Sequence, residues 1–81
     1  MPMFFVYIIY SVTLNKFYVG QTADLDKRLQ QHNSNENLGA KDWKIRYSET
    51  LATRAEAMKR EKEIKNKKSR KYIEWLILQF G

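Results

Sequence analysis

Glu61 is the residue whose position sits least easily with a purely structural role. It lies four residues after Ala57, three after Met58 and three before Ile64. At roughly 100° per residue it therefore falls on the apolar side of a helix. Glu56 and Glu63 point away from that side and read as surface residues. A carboxylate turned inward is costly unless it is paired or holds a cation. Two readings follow: a structural salt bridge, with Arg28 the obvious partner, or a metal-binding or catalytic acid. Arg28 and His32 raise the same choice, being i,i+4 neighbours beside the Leu25/Leu29 stripe. A guanidinium suits a phosphate, which it clamps through parallel hydrogen bonds. A histidine carries protons near neutral pH, or is a packed ring on a helix face. Tyr7 and Tyr18 fall in two apolar segments that read as strands, where tyrosine is usually core. Facing one side, their phenols are also candidates for proton transfer, provided a neighbouring cation lowers a pKa that starts near about 10. Gly20 permits either close approach of a ligand to backbone or an unusual φ.

The charge distribution points to a polyanion. The chain carries a formal charge of +6, and residues 52–71 hold nine basic residues against three acids, so the whole excess lies there. Concentrated positive charge attracts nucleic acid, the commonest intracellular polyanion, or else is a solvated helix face. Within it, Lys59, Lys62, Lys65, Lys67, Lys68 and Arg70 are the candidate phosphate contacts. There is no cysteine, which excludes disulfides and cysteine-zinc sites and suits a cytoplasmic location. The apolar run from Met3 to Tyr10 is too short to span a bilayer, and no basic stretch precedes it. No membrane association is expected.

The elements that must position these residues are legible in outline. Phe4–Tyr10, rich in aromatic and β-branched residues, predicts a buried strand. A turn over Ser11–Lys16 and a strand over Phe17–Gly20 complete a hairpin. Thr22 or Asp24 caps a helix from about Leu25 to Asn33, with Leu25, Arg28, Leu29 and His32 on one face. A polar loop covers Asn33–Lys41. Trp43–Glu49 then predicts a third strand that buries Trp43, Ile45 and Tyr47 on one face. Thr53-Arg54-Ala55-Glu56 matches a capping box for a helix to about Asn66, with Ala57, Met58 and Ile64 apolar. After a break at Asn66–Ser69, a final helix buries Tyr72, Ile73, Leu76, Ile77 and Phe80. Trp75 and Leu78 lie off that face, a surface for a partner or a homodimer, although a monomer is the simpler expectation. The order β-β-α-β-α-α describes an α+β fold, a three-stranded antiparallel sheet flanked by helices, as one domain over residues 1–81.

With these residues in this order, the chain resembles the GIY-YIG nuclease superfamily, and its short stand-alone bacterial branch most closely. Phe5-Val6-Tyr7 and Tyr18-Val19-Gly20 resemble the two signature triplets, with Phe5 at the first glycine and valine at both isoleucines. The segment from Thr22 to Asn33 is similar to the helix that supplies an arginine and often a histidine. Ala57–Lys65 is similar to the helix that bears the metal-binding glutamate. The resemblance implies hydrolysis of DNA phosphodiesters, or RNA, with Mg²⁺ or Mn²⁺ held by Glu61. It assigns Arg28 to the transition-state phosphate, Tyr7 to deprotonating water, Tyr18 to holding water or phosphate, and His32 to assisting as base. Weak sequence preference, structure-selective cutting and a DNA repair or processing role are the corresponding expectations. Many relatives carry an asparagine well beyond the glutamate, and the final helix here has none. The alternative is therefore a catalytically weak or inactive nucleic-acid-binding module of the same fold.

Overall fold

The computed structural model describes residues 3–34 and 39–80, so residues 35–38 of the expected loop lie outside it. The elements run β1 (Phe4–Ser11), β2 (Lys16–Thr22), α1 (Leu25–Ser34), β3 (Lys44–Leu51), α2 (Arg54–Asn66) and α3 (Arg70–Phe80). This is the expected α+β order. β1 is the middle strand of a β2-β1-β3 sheet and is antiparallel to both neighbours. Its position explains the uninterrupted apolar run, because Val6, Tyr7, Ile8 and Ile9 are all buried. Side chains alternate across a strand, so the run feeds two cores. Val6 and Ile8 join Val19, Tyr47, Ala57, Ile64 and Leu76 beneath α2 and α3. Tyr7 and Ile9 join Ala40 and Trp43 on the opposite face, against Leu25 and Leu29 of α1. Helices therefore cover both faces of the sheet.

β3 departs from the expected single buried face. Ile8 pairs with Tyr47 but Ile9 pairs with Ile45, a register shift that leaves Arg46 as the extra residue of a bulge. An inserted residue flips the alternation beyond it. Trp43 and Ile45 accordingly pack on the α1 side, while Tyr47 packs on the α2/α3 side. The β1–β2 turn is tied to the segment before β3 through Asp42. Its carboxylate accepts from Ser11 Oγ at 2.6 Å and from the Thr13 amide at 2.9 Å. Those bonds, the Ser11 bond foremost, hold the Asp42 carboxyl below its usual range.

Two corrections concern the helices. Met58, expected on the apolar side of α2, is 55% exposed, so that side is narrowed to Ala57 and Ile64. Phe80, expected in the core, is exposed too. The buried stripe of α3 ends at Leu76 and the half-buried Ile77. Phe80 packs edge-on against Trp75 instead, at 6.1 Å between ring centroids. Thr53 caps α2 as expected, its hydroxyl accepting from the Glu56 amide at 3.1 Å. The roll of α2 is set by a fork the sequence does not advertise. Arg60 Nε donates to both oxygens of Glu49 on β3, at 3.0 and 2.9 Å. The Tyr47 hydroxyl donates to the same carboxylate.

Both partners of this ion pair are about three-quarters buried. Removing one strands the other. Arg60→Ala is expected to cost about 2 kcal/mol, which in a chain this short lowers Tm by roughly 10 °C. Thermal unfolding followed by circular dichroism checks this, and an unchanged Tm removes the fork from the account of α2.

Candidate active site

The site is built outward from Tyr7. On the α1 face of the sheet, Tyr7 stands directly opposite Gly20 of β2. Its phenol lies against that glycine. A Cβ added at Gly20 would sit 2.6 Å from Tyr7 Cζ and closer still to the hydroxyl oxygen. Gly20 is itself buried, and its φ is not among the positive ones. Its role is thus to make room for Tyr7, and the unusual φ considered from the sequence is not found.

α1 delivers His32 to the same point. Asp24 caps this helix, its Oδ1 accepting from the Lys27 amide at 3.1 Å. Leu25 and Leu29 pack against the Tyr7/Ile9 core, which turns His32, on the same stripe, toward the sheet. His32 Nε2 lies 3.0 Å from the Tyr7 hydroxyl. The Tyr18 ring meets the imidazole edge-on at 4.7 Å between centroids, and Trp43 stands beside both, 6.4 Å from the imidazole and 6.5 Å from the Tyr18 ring. Asn33 holds Trp43 in place. Its amide accepts from the Trp43 backbone N–H at 2.8 Å and donates to the Trp43 carbonyl at 3.1 Å. Neither Asn33 nor Trp43 carried a sequence signal of this role, since they stand ten positions apart in the chain.

Burial dominates the electrostatics. It pushes the Tyr7 phenol up to about 12, against the pull of the Arg28 charge, while Tyr18 and the Glu61 charge push the same way as burial. Burial first, and Arg28 second, lower the His32 pKa below its ordinary 6.5. The ring is therefore neutral at pH 7. Its Nδ1 is buried and has no partner among the described residues.

Arg28 and Glu61 reach the cluster without pairing with each other. Arg28 is exposed, and its Nη1 donates to Gln31 at 3.2 Å. Glu61 pairs with Lys65 at 3.2 Å, and its side chain is 24% exposed. The Arg28–Glu61 salt bridge, one of the two readings of Glu61, is not formed; the pair is a local one, because Lys65 is one helical turn away on the same face. Lys65 Nζ also lies 6.0 Å from the Tyr18 ring centroid, so this rim of α2 stands beside the edge strand β2. Among the other basic candidates, Lys59, Lys62, Lys67 and Lys68 are exposed. Arg70 is engaged by Glu74, by the Asn15 carbonyl and Oδ1, and lies over the Phe17 ring.

The described residues contain no cluster of three or more His, Asp or Glu side chains. The donor set here is one carboxylate, Glu61, partly exposed and held only by a rim lysine. That fits a hard divalent cation that keeps most of its waters and takes a phosphate oxygen. It does not fit a cage of protein ligands.

The two strand segments that hold Tyr7, Tyr18 and Gly20 are thus paired, and α1 and α2 bring an arginine, a histidine and a glutamate to them. The family model for the GIY-YIG catalytic domain matches residues 3–73. The chain belongs to the GIY-YIG family. This is a nuclease superfamily whose members generally use divalent metal ions and act on nucleic acid. A UPF0213 protein of Staphylococcus epidermidis is 41% identical over 71 residues, covering 80% of this chain and 83% of that protein. The UPF0213 protein YazA of Bacillus subtilis is 39% identical over 69 residues, covering 74% of this chain and 68% of that protein. No solved structure matches the chain. No helix among the described residues is long and apolar enough to cross a membrane.

Gly20→Ala tests the packing of the site. The added methyl drives the phenol off His32, at a cost of about 1–3 kcal/mol for overpacking. NMR titration of His32 is expected to give a midpoint below 6.5 in the unsubstituted chain and one nearer 6.5 in the variant. A midpoint that is the same in both contradicts the contact.

Proposed function

We propose that the protein hydrolyses phosphodiester bonds in nucleic acid, DNA foremost, with one divalent cation, Mg²⁺ or Mn²⁺, held by Glu61. The observation that carries this reading is the 3.0 Å contact between the Tyr7 hydroxyl and His32 Nε2, with the Tyr18 ring against the same imidazole and the charges of Arg28 and Glu61 both felt by the Tyr7 phenol. A GIY-YIG nuclease domain over most of the chain supports it. When bound, the cation would supply Lewis acidity at the phosphate and stabilise the leaving oxygen. Arg28, exposed and without a carboxylate partner among the described residues, binds the phosphate oxygens whose charge grows in the transition state. Tyr18, the more exposed phenol at 39%, holds the attacking water or a phosphate oxygen.

Tyr7 and His32 handle the proton together. A phenol whose pKa is near about 12 is a weak base alone at pH 7. Its hydroxyl, however, is 3.0 Å from a neutral imidazole nitrogen. As Tyr7 takes the proton of the water, it passes its own to His32 Nε2. His32 must begin unprotonated, and the lowered pKa ensures that at neutral pH. The exposed lysines Lys59, Lys62, Lys67 and Lys68 track phosphates without reading bases, so sequence preference is weak. Structure-selective cutting in DNA repair or processing, in the cytoplasm, is the setting this reading suits.

Purified protein with Mg²⁺ or Mn²⁺ is expected to nick plasmid or branched DNA, and chelation to stop it. Glu61→Ala should abolish cutting while leaving the fold intact. Cleavage that survives this substitution rejects the assignment. The pH–rate profile should carry an acid limb below pH 6.5, because activity is lost only as falling pH protonates His32. His32→Ala should remove that limb along with most of the rate.

A further inference from the structure

Beside Arg28 lies an open cleft of about 310 Å³ that meets the catalytic cluster only through that residue. Its walls are Gln21 and Thr22 of β2, Lys27, Arg28 and Gln31 of α1, and Arg54 at the start of α2. Lys27, Arg28 and Arg54 all make no ion pair with any described carboxylate. By contrast Arg60, Lys65 and Arg70 are each neutralised by a glutamate. The cleft's one acid, Asp24, is turned to the cap of α1. Three cations thus face one another with a single carboxylate, already engaged, between them.

Two of the three are also held in place. The Arg54 guanidinium lies 4.8 Å from the Phe4 ring centroid, and its Nη1 reaches Gln21 Oε1 at 3.5 Å. Arg28 is steadied by Gln31 at 3.2 Å. A guanidinium oriented beforehand loses less freedom on meeting its ligand. The first turns of α1 and α2 both open beside the cleft and add partial positive charge. A mixed neutral and basic lining of this kind, with glutamine amide donors among the cations, matches the oxygens of a phosphate.

The location completes the case. Gly20, which underlies Tyr7, is followed directly by Gln21 and Thr22, and Arg28 borders both the catalytic cluster and the cleft. We propose that the cleft is a second phosphate subsite. In it Lys27 and Arg54, with Arg28 shared, hold a non-scissile phosphate of the strand, next to the phosphate that is cut. The strand then runs from Tyr7 across the end of β2 toward the start of α2. This subsite rests on the nucleic-acid reading above, but its test separates the two.

The probe is a labelled DNA oligonucleotide, single-stranded and duplex, titrated by fluorescence anisotropy over a salt series. The protein is the full chain carrying Glu61→Gln to prevent cutting. Adding Lys27→Gln and Arg54→Gln is expected to weaken binding roughly tenfold and to reduce the slope of log K against log salt by about one. Arg54→Lys, which keeps the charge, should retain most of the affinity. Lys41→Gln with Lys44→Gln removes the same charge at the far end of the sheet, where Lys44 pairs with Tyr10, and should leave the slope nearly unchanged. An unchanged slope in the Lys27/Arg54 variant, with Tm preserved, overturns the subsite. So does a loss no larger than that of the Lys41/Lys44 control. Cutting by the unsubstituted chain in Mg²⁺ is scored separately. Binding that depends on Lys27 and Arg54 without any cutting sustains the subsite and removes hydrolysis, and the reverse pattern removes the subsite alone.

Discussion

The close contact between the Tyr7 phenol and the bare backbone of Gly20 is the constraint from which the site follows. No other residue leaves enough space at that register position, because even a methyl group overlaps the ring. With the ring pressed against β2, its hydroxyl has one direction to point, and His32 is there at 3.0 Å. The same burial that locks this pair sets its chemistry. It disfavours the charged form of both groups, so the phenol rises and the imidazole falls, and each stays neutral at pH 7. A proton can then pass between them without either being charged beforehand.

α2 divides two tasks between adjacent residues. Arg60 fastens the helix to β3 through the fork with Glu49, and Glu61, about 100° further round, is left facing the edge strand. The first residue fixes the roll of the helix, and that roll decides where the second one's carboxylate lies. Lys65 neutralises Glu61 in the free protein across a single helical turn. A surface pair of this kind is weak, so under the proposed reading a divalent cation would displace the lysine at little cost.

The cations fall into two sets for the same reason. Arg60, Lys65 and Arg70 are engaged by glutamates and stabilise the fold or its acidic ligand. Lys27, Arg28 and Arg54 meet no described carboxylate and surround open space. The count of charges along the chain points to residues 52–71, yet two of the three cations around the cleft, Lys27 and Arg28, lie outside that stretch. Charge density along a sequence reports attraction to a polyanion. Which charges remain available depends on what folds against them.

The element order, a cap of α1 at Thr22 or Asp24, the cap at Thr53 and the break after Asn66 were legible because each depends on neighbours a few residues apart. The five candidate groups were legible as well, since their types and order carry the family's signature. Pairings between distant segments were not. The bulge at Arg46, the Glu49–Arg60 fork, the Asn33 clamp on Trp43 and the choice of Lys65 over Arg28 as partner of Glu61 arise only when the sheet and helices assemble. Periodicity assigns a residue to a face, but a one-residue slip in register changes that face, and nothing local announces the slip. Residue type and spacing thus determined the family of this chain and the candidate groups it carries. Packing alone decided which side chains meet, because burial and hydrogen bonding act across space and not along the chain.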